Sequence, residues 1–438
     1  MPPAQRRSTG LTFWGMVVGV MAALKLKEKW DDYRQVPSEP DGETGPLALH
    51  SPSGEHPGLP MLDTDIPATS ARRTRKRSDC CMCCGLRCGL FWKAFGIVCA
   101  LFFGWQLIQF IIWMVKPTPT GLENMPEFSK SLPCANAPHL YQGSEKITYS
   151  VPVDSEGQHT IDIRGKAVGT LVIAQGDYEA SDLTYQMTVR TNNQALLDLV
   201  SVQYPSKDDG ESIASKMELS TPLFGTESCM RYDMTVYVPY TVRELNVQAR
   251  TTTQIKFDDE SNLDLDSLKI RVTALDDTSM ILPHRGVHAS ALTLDLQRGW
   301  LVGDVTIENE ANLLTARGDA AMNVHVFPAP STSEPPAVAH LQTSTGNGRA
   351  DVFYVSHPGH PHRPIDNTHR TQGTGDLYLT YKDASFSGTV DLKARSFSAS
   401  GLHDAIPRIA DQLPWVGEKD GEDKMVVEAR NGWVGLYF

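Results

Sequence analysis

No asparagine in this chain has serine or threonine two residues further on, so N-glycosylation is not expected anywhere in it. For a domain that faces a secretory lumen that is unusual. The sequence also lacks GxSxG, a P-loop, a dinucleotide fingerprint and HExxH, which removes the motif-bearing hydrolases, nucleotide enzymes and zincins. Helical periodicity is scarce after residue 116, confined to Asn193–Leu199 and Leu402–Leu413. Cysteine is scarce there too, with only Cys134 and Cys229. Charge is missing altogether between Ala94 and Val115, AFGIVCALFFGWQLIQFIIWMV.

That uncharged run dictates the layout. A helix of its 22 residues reaches about 33 Å, enough to cross a bilayer core of about 30 Å. Trp92 and Trp113 lie near its ends, where indole rings favour the headgroup region. Arg72, Arg73, Arg75, Lys76, Arg77, Arg87 and Lys93 precede it, whereas Lys116 is followed by no Lys or Arg until Lys130. The positive-inside rule then places the N-terminal side in the cytoplasm and residues 117–438 in the lumen or outside, a single-pass type II arrangement. Gln106 and Gln109 share a helix face and suit a partner helix.

The net charge of −12 is unevenly placed: residues 1–93 carry +3 and residues 117–438 carry −16. An acidic outer part argues against nucleic acid as a partner. It suits a solvated surface or cation binding, but the acidic loops 208–211, 258–266 and 418–423 do not match EF-hand spacing.

Residues 1–90 read as a mostly disordered cytoplasmic tail, since 36–71 are rich in Pro, Gly, Ser, Asp and Glu and bury too little to offset ordering. Within the tail, Leu11–Leu24 is a shorter apolar run. It fits a signal-peptide core, an interfacial helix continuing through Glu28–Arg34, or a short span. Positive charge directly after it and the lack of a clean small-x-small site count against cleavage. ARRTRKR (71–77) is a polybasic cluster that suits anionic lipid. Cys80, Cys81, Cys83, Cys84 and Cys88 crowd the membrane edge as adjacent doublets without a distant second pair, which fits S-palmitoylation better than zinc; unmodified thiols are the third reading.

The transmembrane helix is set at 91–116 and a Pro-rich linker at 117–133. From 134 to 438 short alternating runs recur, such as KITYSVPV (146–153) and LKIRVTAL (268–275), the pattern of half-buried strands. Many take one form, strand, turn, strand: TIDIRGKAVGTLVI (160–173), LTLDLQRGWLVGDVTI (292–307), LLTARGDAAMNVHV (313–326) and VVEARNGWVGLYF (426–438). Gly165, Gly318, Gly346 and Gly432 take comparable turn places. The expected class is all-β, a β-solenoid-like stack of hairpin repeats beside one transmembrane α-helix and a disordered tail; an antiparallel sandwich is the alternative. In an oxidising compartment Cys134 and Cys229 read as one disulfide, with two separate buried thiols as the alternative.

The units TSTGNGRADV and VEARNGWVGL resemble an adhesin-type repeat of unknown function found in bacteria and fungi. The whole arrangement resembles uncharacterised single-pass membrane proteins of basidiomycete fungi. The likeness covers the span and most of 134–438, including CANAPHLY (134–141) and IDIRGKAVGTL (161–171). It implies a β-solenoid-like fold with no assigned activity, and the word adhesin is a fold-level analogy.

Chemistry-bearing residues are sparse. His357, His360, His362 and His369 in SHPGHPHRPIDNTHR could ligate zinc or copper with Asp366, but the prolines make the stretch an exposed loop. Asp162, Asp295, Asp304, Asp351, Asp376 and Asp391 are scattered candidates for paired carboxylates. No catalytic, cofactor or metal residue is assigned. The function expected is non-enzymatic, a membrane-anchored protein offering a β-repeat face to a cell-wall glycan or another surface protein, with the bilayer as its other partner. The rival is a tethered glycan-processing enzyme, which would need an aromatic groove and two carboxylates about 5–10 Å apart.

Overall fold

The computed structural model describes residues 13–34, 82–83, 86–115, 120–205, 214–331, 333–357, 359–404 and 413–438. The chain divides into two compact units, Met1–Thr118 and Pro119–Phe438.

The first unit holds α1 (Phe13–Arg34) and α2 (Cys88–Val115), which touch each other and bury Val17, Ala94 and Val98. The Leu11–Leu24 run is therefore helical from Phe13, and the helix continues through Arg34. In α2 the stretch Phe91–Ile112 has a mean hydropathy of 2.0 and is long and apolar enough to cross a membrane. Leu101, Phe103, Trp105 and Leu107 all point outward from it, an arrangement suited to lipid and costly in water. Residues 35–81, with the polybasic cluster and with Cys80 and Cys81, lie outside the described residues, as does Cys84; for Cys83 and Cys88 only the backbone is described.

The second unit is almost entirely β. Residues alternate between core and surface, as in Asp182–Thr191, where every second side chain is buried. Consecutive strands are shared between two ladders. Gln158–Arg164, Glu244–Ala249, Leu263–Val272, Val287–Leu296, Glu310–Thr315, Ala339–Thr345 and Ile365–Thr371 pair in parallel in the first. Val168–Gln175, Thr253–Phe257, Met280–Leu282, Trp300–Ile307, Ala321–Pro328, Ala350–Val355 and Leu377–Asp383 pair in parallel in the second. Each strand–turn–strand segment thus forms one rung, with a strand in each ladder, and parallel stacking is not what a sandwich of antiparallel hairpins would give.

The core runs as columns through the stack. In the first ladder, Met217, Ile161, Val247, Ile270, Leu294 and Leu313 occupy one register position on successive rungs. All are fully buried, and each is worth about 1.5–3 kcal/mol of apolar transfer. The column then turns polar at Thr343 and His369 before returning to Val427. Tight turns require small residues: a Cβ on Gly432 would lie 1.9 Å from the carbonyl oxygen of Gly375, and one on Gly165 (φ 106°) 2.0 Å from that of Thr221.

Both ends depart from chain order. Rung 158–175 is sandwiched between 216–238 on one side and 244–257 on the other. At the far end Asp423–Tyr437 runs through both ladders and inserts between rung 365–383 and Gly388–Ser400. Antiparallel strands Ser201–Gln203, Asp182–Thr191 and Ile147–Pro152 finish the N-terminal end.

The unit begins ahead of the expected boundary at Cys134. Residues 120–133, read as linker, lie along the second ladder: Asn323 Nδ2 donates to Thr120 O (3.3 Å), and Ser129 N donates to Gln254 Oε1 (2.5 Å). Buried Arg231 donates to Ser129 O (2.9 Å) and pairs with Asp233 (2.7 Å). Next to this anchor Cys134 and Cys229 form a disulfide with Cα atoms 6.0 Å apart. The Asn193–Leu199 periodicity forms a 3-10 helix, Gln194–Leu199, whose first turn is capped by Asn193 Oδ1 accepting from Ala195 N (3.2 Å).

Candidate functional site

Among the described residues, a wide opening lies at the edge where strands of the second ladder lead into the next rung. The described residues of two long connections, 329–331 with 333–338 and 356–357 with 359–364, border it. A loop that long carries backbone carbonyls needing donors. Arg363 supplies them: its buried guanidinium donates to the carbonyls of Ala329 (2.7 Å), Ala337 (2.8 Å), Glu308 (2.9 Å) and Val338 (3.2 Å). Burial lowers its proton affinity, while Tyr354 and Glu308 act the other way.

Between these connections is a groove of about 620 Å³, lined among others by Pro330, His357, His360, His362, Lys382 and Asp383. It shares Pro328, Ala329, Pro330 and His357 with a neighbouring opening of about 460 Å³, lined by Arg285, His288 and Phe327. The Arg285 guanidinium sits 4.5 Å from the Phe327 ring centre. The groove thus follows the rung edges from 284 to 385.

Its titratable groups are largely occupied. His288 Nδ1 is 2.7 Å from Glu308 Oε1. His362 Nε2 is 3.0 Å from Asp423 Oδ1, and buried Asp423 also accepts from Ile365 N (2.8 Å) and Ser387 N (2.7 Å). Asp423 therefore pins the inserted C-terminal strand to both flanking connections. The His357 and His360 rings meet edge to face at 4.6 Å.

The histidine-rich stretch does not stay together. Residues 356–364 form the groove edge, but Ile365–Thr371 is a strand and His369 is in the core, where its Nδ1 is 2.8 Å from Thr343 Oγ1 and its Nε2 2.7 Å from Tyr381 OH. Asp366 faces His340 (3.5 Å) on the first ladder, away from the loop histidines. Among the described residues no three His, Cys, Asp or Glu side chains converge as a metal set.

The scattered aspartates do not converge across a groove either. Asp162 and Asp295 hold one register row three strands apart, about 14 Å at the usual strand spacing. Asp295 pairs with Arg271 (2.9 Å), Asp351 with Arg349 (2.6 Å), Asp391 with Lys393 (2.7 Å), and Asp304 lies 3.5 Å from His325. Asp376 accepts from Trp433 N (3.0 Å). Asp162 does stand beside Glu218, its register partner one strand away. Lys216 reaches both (3.5 and 2.6 Å), and Arg164 bonds Asp162 and lies 3.2 Å from Glu218. Burial raises the Asp162 proton affinity, but the Arg164, Lys216 and Arg250 cations outweigh it and hold the carboxyl below its usual range. A glycosidase acid must instead keep its proton.

Arg285, Phe327, Lys382 and Arg363 were not singled out by motif. The signal that could have found them is the pair of unusually long connections after residues 328 and 355.

No protein-family model and no curated protein sequence matches this chain. Among solved structures, it is similar to a candidate cell adhesion protein from Clostridium sporogenes, with 11% identity, 67% of this chain and 98% of that one covered, and a TM-score of 0.21. A candidate adhesin from Parabacteroides merdae (9% identity, 67% and 97% covered, TM-score 0.26) and a candidate lipid binding protein from Parabacteroides distasonis (10%, 67% and 97%, 0.23) are similar in the same way. Likenesses at these TM-scores decide nothing about this chain's fold or function.

Proposed function

We propose that this is a non-enzymatic, membrane-anchored surface or lumenal protein whose rungs wind as a β-solenoid and bind glycan or protein along the edge groove. In this reading α2 is the single membrane span. The basic flank before it faces the cytoplasm and anionic lipid, and residues 117–438 lie outside. Acylation of Cys80, Cys81, Cys83, Cys84 and Cys88 adds to the anchor.

The observation that carries the binding reading is the state of the groove's ionisable groups. His288 is already paired with Glu308 and His362 with Asp423, and outside the groove Asp295 is held by Arg271 and Asp351 by Arg349. These groups are engaged with one another and offer a shaped surface rather than a poised acid and base. The full-length protein in nanodiscs, incubated with soluble cell-wall glycans, is expected to retain a glycan without shortening it. New reducing ends released in proportion to protein would overturn the non-enzymatic reading.

A further inference from the structure

Away from the groove, the loops that follow Val168–Gln175 and Met230–Val238 lie side by side. Gly176 N donates to Val238 O (2.8 Å), and Thr241 Oγ1 donates to Ser181 O (3.4 Å). These ties hold Tyr178 and Tyr240 as a stacked pair, ring centres 5.1 Å apart and planes 18° from parallel. The pair is not part of the core: Tyr178 is 82% exposed and Tyr240 64%. Chain neighbours of the pair, Gly176, Asp177 and Ala180, line a recess of about 290 Å³ together with Asp182, Thr184, Gln186 and Tyr237, while the two rings themselves lie outside its lining. Its polar groups are pre-set. Tyr237 OH donates to Gln186 Oε1 (3.3 Å), and the Asp182 carboxylate accepts from Ser150 Oγ (2.9 Å) and Ser181 Oγ (3.1 Å).

We infer that Tyr178, Tyr240 and this recess form a carbohydrate site that takes a pyranose unit of a neutral polysaccharide. The inference deepens the glycan-binding reading above but uses none of the groove residues. A pyranose ring has one flat face of C–H groups and a rim of hydroxyls. Exposed aromatic rings offer the flat apolar partner, and tyrosine does so with few rotatable bonds to freeze. Planar amide and carboxylate groups next to the rings match the hydroxyl rim. Charge selects the sugar: the recess is lined by Asp177 and Asp182 and by no Lys or Arg, so a uronic acid or phosphorylated sugar meets like charge. Size selects its extent, because about 290 Å³ lies at the lower end of ligand pockets and suits one or two sugar rings.

The test uses the full-length protein in nanodiscs with laminarihexaose, cellohexaose and chitohexaose as neutral probes and polygalacturonate as the anionic one, read by calorimetry. At least one neutral hexaose is expected to bind. Tyr178→Ala and Tyr240→Ala should each weaken it about tenfold, with Tyr178→Phe close to wild type and the melting temperature unmoved because both rings are exposed. Gln186→Ala should also weaken it. Hexaose binding unchanged in Tyr178→Ala and Tyr240→Ala but lost in Arg285→Glu with Lys382→Glu would overturn this site and leave the groove reading standing. Polygalacturonate binding as well as the neutral probes would overturn the charge argument. Failure of every neutral hexaose to bind the wild type would remove this site together with the neutral-glycan form of the proposed function.

Discussion

Lowering the pH from 7 to 5 should loosen the β-unit through two buried histidines. His159 is 1% exposed, with Nδ1 2.6 Å from Ser215 Oγ and Nε2 hydrogen-bonded to Tyr185 OH. His369 is fully buried between Thr343 and Tyr381. Burial pushes the pKa of each down to about 3. An unfolded histidine titrates near 6.5. The folded values are depressed, so the stabilisation is fully present above about 6.5 and is lost as the pH falls towards 3. At pH 5 each site costs roughly 1.5 pH units at 1.36 kcal/mol per unit, about 2 kcal/mol, and the two together about 4 kcal/mol. Hydrogen exchange of the full-length protein, corrected for intrinsic rates, reads this locally. Opening of Ala339–Thr345 and Ile365–Thr371 should become easier by about 2 kcal/mol at pH 5. His369→Gln should lower stability at pH 7 through its lost bonds yet flatten the pH slope of these two strands, leaving the slope around His159 intact. Equal opening energies at pH 7 and pH 5 in the wild type would refute the reasoning, as would an unchanged slope in His369→Gln.

Three further outcomes are expected. Cys134→Ser and Cys229→Ser should each lower the melting temperature, and the double variant should add little more, since either change removes one bond. The closed loop spans 95 residues, for which chain entropy gives at most about 4.7 kcal/mol, and two alkylatable thiols in protein from the secretory pathway would refute the prediction. Protease added to sealed microsomes should leave residues 117–438 intact; digestion without detergent would reverse the orientation. Hydroxylamine-sensitive acyl exchange on Cys80, Cys81, Cys83, Cys84 and Cys88 should give a mass shift, and zinc co-purifying with unshifted protein would favour the metal reading.

Much of the architecture was legible because it is local. An uncharged 22-residue run makes its own helix, and alternation within ten residues makes a strand such as Leu263–Val272. The turn glycines announced where chains pack backbone to backbone. What depended on distant partners was hidden. Asn367, His369 and Thr371 alternate inward like any strand face, but the prolines just before them masked the signal. The order of stacking at the two ends was invisible, because nothing in residues 423–437 says that they pair ahead of 388–400. Arg363 looked like one cation among many, since its bonds to the carbonyls of Ala329, Ala337, Glu308 and Val338 exist only once two loops are closed around it.

The inserted strand Asp423–Tyr437 has a consequence for biogenesis. Gly388–Ser400 leaves the ribosome first but has its long parallel partner only when the later strand arrives. Until then rung 365–383 presents two open strand edges, and 388–400 has no long neighbour to lie on. Unpaired edges invite other chains. A chain that stalls or is clipped between residues 400 and 423 therefore keeps open edges at the end of the stack farthest from the disulfide. From Ser400 to Tyr437 the wait is roughly 2–7 seconds at ordinary synthesis rates of about 5–20 residues per second. During that interval the edges stay open, and insertion of Asp423–Tyr437 covers both of them at once.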